Sequence, residues 1–103
     1  MHATIRRYDG VDTNRTDELT RKASESLVPQ LRKLEGFGGY YLIETGNGVF
    51  SSFGLFEGPT QVDEATRIAE SWVKAEKLES ALPNPPRVTS GKVIAHENGV
   101  SIA

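Results

Sequence analysis

The stretch Gly38-Gly39-Tyr40-Tyr41-Leu42-Ile43-Glu44-Thr45-Gly46-Asn47-Gly48-Val49-Phe50-Ser51-Ser52-Phe53-Gly54-Leu55-Phe56-Glu57 decides how this chain folds. Two runs rich in Tyr, Phe, Ile and Val, residues 38–45 and 49–57, read as strands around Gly46-Asn47-Gly48. Asn-Gly between such runs is the strongest short hairpin signal, because both central residues of a type I′ turn need positive φ. With Asn47 and Gly48 central, Gly46 pairs with Val49. The register then sets Ile43 opposite Ser52, Tyr41 opposite Gly54, Leu42 opposite Phe53 and Tyr40 opposite Leu55. One hairpin face is read as Tyr41, Ile43, Phe50 and Phe56, the other as Tyr40, Leu42, Val49, Phe53 and Leu55.

Before the hairpin lies a helix. Leu19, Ala23, Leu27, Leu31 and Leu34 recur at spacings of four, four, four and three, one apolar face with Arg21, Lys22, Glu25 and Arg32 turned outward. Asn14 is the expected N-cap, Pro29 predicts a kink, and Gly36 ends the pattern. Residues 2–8 have strand character up to Asp9-Gly10. After the hairpin, Gly58-Pro59 breaks the strand and Thr60 is the expected N-cap of a second helix. Its stripe is Val62, Ala65, Ala69, Trp72 and Val73, and Pro83, Pro85 and Pro86 close it. Residues 87–97 read as a last strand, with Asn98-Gly99 opening a short tail. The order strand, helix, two-stranded hairpin, helix, strand is the split βαβ pattern. It predicts an α+β, ferredoxin-like βαββαβ fold, an antiparallel sheet with two helices on one face.

At 103 residues the chain is expected to form one domain, residues 1–103, with a thin core that buries roughly 65% of its unfolded surface. Twelve Lys and Arg stand against 14 Asp and Glu, a formal charge of −2, and the basic residues are scattered, which disfavours nucleic acid and anionic membranes as partners. Cysteine is absent, so disulfides, thiolate metal sites and cysteine nucleophiles are excluded. No apolar run approaches the ~20 residues that cross a bilayer, and the N-terminus shows no signal-peptide core; a soluble cytoplasmic protein is expected. Neither a G-x-G-x-x-G run nor a P-loop occurs, so no cofactor is expected, and Gly-x-Ser-x-Gly is missing.

A lone sheet of this type wets its second face and alternates apolar with polar. Here both faces are apolar, which predicts a homodimer joined sheet to sheet. Hiding ~800 Å² per partner, slightly more than half of it apolar, could contribute around 10 kcal/mol before association costs.

The segment Leu34-Glu35-Gly36-Phe37-Gly38-Gly39-Tyr40-Tyr41, the Phe56-Glu57 strand end and the Trp72 helix together resemble the antibiotic-biosynthesis-monooxygenase-like (ABM) group of dimeric α/β barrels over almost the whole chain, residues 3–97. Glu35 stands where that group often has Pro. The resemblance implies a dimeric barrel and, among the group's activities, cofactor-independent oxygenation of polycyclic phenols. The group's haem-degrading branch needs an Asn on the first strand and a His shortly after the Trp. Neither is present.

Four residues are candidates for ligand binding. Trp72 could stack on an aromatic ligand and donate its N–H, or be core. Arg6 shares a strand face with Thr4 and Tyr8 and could hold a phenolate or carboxylate, or pair with an acid across a dimer. Tyr41 lies on the hairpin. His96, near His2 if the outer strands pair, could act as a general base, although two His without a carboxylate make a poor metal site. No catalytic constellation stands out. Three readings remain: an oxygenase using dioxygen without flavin or metal, a pocket that binds or isomerises a small aromatic metabolite, and a structural dimer module.

Overall fold

The computed structural model describes residues 1–97; the Asn98-Gly99 tail lies outside the described residues. Four strands, β1 (His2–Tyr8), β2 (Gly39–Gly46), β3 (Val49–Phe56) and β4 (Arg87–Lys92), form one sheet in the order β2-β3-β1-β4. Every neighbouring pair is antiparallel. Both helical segments lie on one face, as the element order demands.

The first helical arm is built in pieces. Asp12, not Asn14, caps it: its side chain accepts from the Asn14 N–H at 3.0 Å and opens a 3-10 turn, Thr13–Arg15. Then come α1 (Thr16–Lys22), a π-helical turn (Ala23–Leu27) and α2 (Val28–Arg32). The kink expected at Pro29 takes the form of this π turn. Proline has no N–H and its ring collides with the carbonyl four residues back. Widening the preceding turn, so that the Val28 N–H reaches the Ala23 carbonyl, accommodates it without breaking the helix. The apolar stripe survives, since Leu19, Ala23, Leu27 and Leu31 are all buried. Outside it, Arg15 and Lys22 both hold Glu18, at 2.8 and 2.9 Å, and lower its carboxyl to about 2.

Gly36 turns the chain toward β2 with φ of 72°. A side chain there would be strained and would run into Glu57. Gly38 donates to the Leu55 carbonyl at 2.7 Å, the tight strand start its missing side chain permits.

The hairpin register differs from expectation by one residue. Gly46 does pair with Val49, but Glu44 pairs with Phe50 and Thr45 bulges out, so Ile43 faces Ser51, Leu42 faces Ser52, Tyr41 faces Phe53 and Tyr40 faces Gly54. The cause is the turn. Gly48 has φ of 76°, but Asn47 does not take positive φ, so the turn is not type I′. Turns without that matching twist splay the strands, and a bulge restores the fit. As a result Tyr40 and Leu42, not Tyr41 and Ile43, share the helix-facing side with Phe50 and Phe56.

The last helix, α3 (Pro59–Ala75), starts two residues earlier than Thr60 suggested, with Gly58 as N-cap and Pro59 in the first turn, where its missing N–H costs nothing. It ends at Ala75, well before the prolines. Lys77 adopts φ of 56°, and Leu78 and Ala81 then plug the end of the core. β4 stops at Lys92, five residues short of the expected end.

Candidate functional site

On strand β1, Thr4, Arg6 and Tyr8 alternate with Ala3, Ile5 and Arg7, so each trio lines one face. The polar trio is the one that faces the helices. Thr4 and Arg6 are buried there, 7% and 5% exposed, while Ile5 on the open face is 37% exposed. The polar side of β1 thus points inward, toward the space beneath the helices.

That space lies between sheet and helices. Its floor combines Thr4, Arg6, Tyr8 and Ser52 with Phe50 and Phe56, and its roof is Leu19, Leu27 and Leu31 from the first arm and Ala65, Ala69 and Trp72 from α3. The chamber is partly open and its volume is ≈ 50 Å³, room for a few waters or a small polar group. A second, wider groove of ≈ 360 Å³ runs between the first arm and β2, with Thr16, Thr20 and Ser24 on one bank and Glu44 on the other. Tyr40, Leu42 and Phe50 line both spaces, so chamber and groove adjoin.

The electrostatics of the chamber are one-sided. An Arg6 guanidinium nitrogen donates to the Tyr8 hydroxyl at 3.4 Å, and Arg6 Nε is buried without a partner. Among the described residues, none of the ion pairs involves Arg6. Burial pushes the Tyr40 phenol up to about 12, against the opposing influence of Ser52 and Arg6, so it stays neutral at ordinary pH. Among the described residues no three His, Asp or Glu side chains come together.

The structure therefore brings two of the four sequence candidates into one chamber, Arg6 and Trp72. Tyr41 projects from the open face of the sheet, 60% exposed, and the bulge puts Tyr40 in the pocket wall instead. His96 is exposed beyond the end of β4, and the ladder gives His2 Lys92 as its partner, so the strands do not place the two imidazoles side by side.

Trp72 does not offer its N–H to the chamber. The indole donates to Ser26 Oγ at 2.7 Å, and Ser26 Oγ also lies 2.9 Å from the Lys22 carbonyl and 3.0 Å from Glu76 Oε1. This bond ties α3 to the π turn and fixes the indole as a wall. Ser26→Ala strands the N–H in a buried site, and a loss of about 1–3 kcal/mol is expected in urea denaturation. A change below about 0.5 kcal/mol would show that the clamp is idle. Sequence reasoning missed both Ser26 and the groove, because Ser26 lies outside the Leu19, Ala23, Leu27 and Leu31 stripe and is brought against α3 by a π turn that shifts the helix phase.

Comparison with known proteins places the fold. No protein-family model matches the chain, and no curated protein matches it either. Solved structures do. A protein of unknown function from Nitrosomonas europaea superposes with a TM-score of 0.75 at 17% identity, over 97% of this chain and 95% of that one. A monooxygenase of Streptomyces coelicolor, solved in complex with nanaomycin D, superposes with a TM-score of 0.73 at 12% identity, over 96% and 92%. The Mycobacterium tuberculosis protein Rv0793 gives 0.71 at 18% identity, over 94% and 98%. Several further solved structures of the same fold are described as antibiotic biosynthesis monooxygenases. The fold is thus ABM-like, α+β with a ferredoxin-like sheet.

Proposed function

We propose that the chain binds a small aromatic or polyketide-like compound between its sheet and helices, and that its activity is a cofactor-independent monooxygenation. The observation that supports this reading is the adjoining chamber and groove, a largely apolar space whose floor carries Thr4, Arg6, Tyr8 and Ser52 and whose roof includes Trp72. That combination suits a planar ligand with one polar end. Solved monooxygenases of the same fold add to it.

The chemistry needs no resident group if the substrate is electron-rich and gives up a proton. For an anthrone-type CH₂, loss of a proton gives a carbanion that reacts with dioxygen directly. The CH₂ becomes C=O, one oxygen atom stays in the product and the other leaves as water. The protein then contributes a dry site, orientation and stabilisation of the anion. Arg6 and Trp72 are the residues for those tasks.

The test is oxygen uptake with a panel of anthrones and phenols, in parallel with tryptophan quenching. Turnover is expected to fall at least tenfold in Leu42→Trp, which fills the groove, and in Trp72→Phe. Uptake that both variants leave unchanged would place the chemistry elsewhere. The narrowness of the chamber, ≈ 50 Å³, favours a second reading, a non-catalytic metabolite-binding or structural dimer module. Binding without oxygen uptake across the panel would select it.

The working unit in this proposal is a cytoplasmic homodimer joined through the open sheet face. Ala3, Ile5, Tyr41, Ile43, Phe53 and Leu55 share that face, and Tyr41 and Ile43 are 60% and 41% exposed. Apolar area of this kind is what a second copy covers. No helix among the described residues is long and apolar enough to cross a membrane. Light scattering is expected to give twice the 11.3 kDa chain mass, reduced to 11.3 kDa by Phe53→Asp. A wild-type monomer at high concentration would end this part of the proposal.

A further inference from the structure

Three polar atoms on the helix-facing side of β1 are buried without a hydrogen-bond partner: His2 Nδ1, Thr4 Oγ1 and Arg6 Nε. Their residues stand at every second position and so form one row. Such atoms are few in native proteins, and each asks for an explanation. The Arg6 case is the sharpest. A guanidinium cannot shed its charge and carries five donors. Arg6 is 5% exposed.

Among the described residues, none packed around Arg6 supplies a counter-charge. On its own strand the neighbour on that face is Tyr8, and across the ladders Arg6 meets Ser52 of β3 and Val88 of β4. From β2 the chamber receives Tyr40 and Leu42; from the first arm, leucines; from α3, Ala65, Thr66, Ala69 and Trp72. The titratable groups in that lining besides Arg6 are Tyr8 and Tyr40, both phenols. Glu44, the carboxylate of the groove, is not among the chamber's lining residues. A buried cation without an anion is costly, and the long bond to the Tyr8 hydroxyl is what the described residues set against that cost.

We propose that Arg6 and Thr4 form an anion subsite at the inner end of the pocket, and that the ligand is an aromatic compound bearing an oxyanion, a carboxylate, enolate or phenolate. This rests on the reading of the helix-side pocket as the ligand site. The volumes divide the ligand in two. A chamber of ≈ 50 Å³ takes a charged group of a few atoms but not a ring, since benzene occupies a cavity of about 150 Å³. A groove of ≈ 360 Å³ takes one or two fused rings. Tyr40, Leu42 and Phe50 line both, so one planar molecule can span them with its charge innermost. Arg6 Nε and Thr4 Oγ1 both lack a partner and both residues line the chamber, and a guanidinium edge of Nε and a terminal nitrogen is the two-pronged match for a carboxylate.

Calorimetric titration with 2-naphthoate and its neutral counterpart 2-naphthamide tests this. The wild type is expected to bind the naphthoate at least tenfold more tightly than the amide. Arg6→Met is expected to collapse the ratio to within about twofold and to melt several degrees higher without ligand, because an uncompensated charge has left the core. Thr4→Val, close in shape, is expected to lower the ratio about threefold and supplies the same readout should Arg6→Met fail to fold. Equal binding of both probes to the wild type, or a preference that survives Arg6→Met, overturns the anion subsite and leaves the pocket standing. Binding of neither probe to the wild type, or binding that Leu42→Trp does not weaken, overturns the pocket reading and the subsite with it.

Discussion

Phe56→Ala is expected to cost about 3–5 kcal/mol, the range for emptying a fully buried aromatic site. Phe56 is 1% exposed and closes the end of β3 beneath the helices. Its ring meets Phe37 edge to face, with centroids 5.9 Å apart and planes at 63°, a geometry that adds about 0.5–1.5 kcal/mol beyond area alone. Domains of this size hold only about 5–15 kcal/mol in total, so the variant sits close to unfolding. A fall of about 2 M in the urea midpoint is the readout. A loss below about 1 kcal/mol would mean that the core closes over the gap without difficulty.

Gly36→Ala is the second large effect, and it acts through the backbone. The left-handed φ of 72° costs a residue with Cβ about 1–2 kcal/mol. The new Cβ would also collide with Glu57 Cβ and stand 3.2 Å from the Glu57 backbone nitrogen, so the end of β3 has to move. The combined loss is expected at about 3 kcal/mol in the same urea experiment. Gly91→Ala provides the control: no atom of the described residues lies within 4 Å of the Cβ it would add, on an exposed strand, and it should change stability by less than about 0.5 kcal/mol. Equal losses at the two positions would refute the close-approach account of Gly36.

The legible part of this fold is the part written in long periods. Leu19, Ala23, Leu27 and Leu31 announce a helix face that remains buried even though a π turn interrupts it, because the extra residue is absorbed over several turns. The Trp72 stripe and the hairpin are equally plain. What was not legible depends on a single residue or a single angle. Whether Asn47 takes positive φ settles the turn, and the turn settles which of Tyr40 and Tyr41 looks inward. The inward side of β1 was hidden for a different reason. Ala3 and Ile5 look like its core side and Thr4 and Arg6 like its wet side, yet the burial runs the other way. Burying the polar side makes no sense for packing alone, which is why the candidate site could be half seen, as Arg6 and Trp72, but not assembled from sequence.

The bulge at Thr45 has an evolutionary corollary. Strand β2 is spelled almost in duplicate, Tyr40-Tyr41 followed by Leu42-Ile43, so it makes sense in either of two frames offset by one position. Closing the bulge would exchange the lining of the cavity for the outer set without altering any wall residue. Descendants of this chain could thus acquire a differently shaped binding site through mutations in the tight turn alone, whereas loss of Thr45 would freeze the present frame.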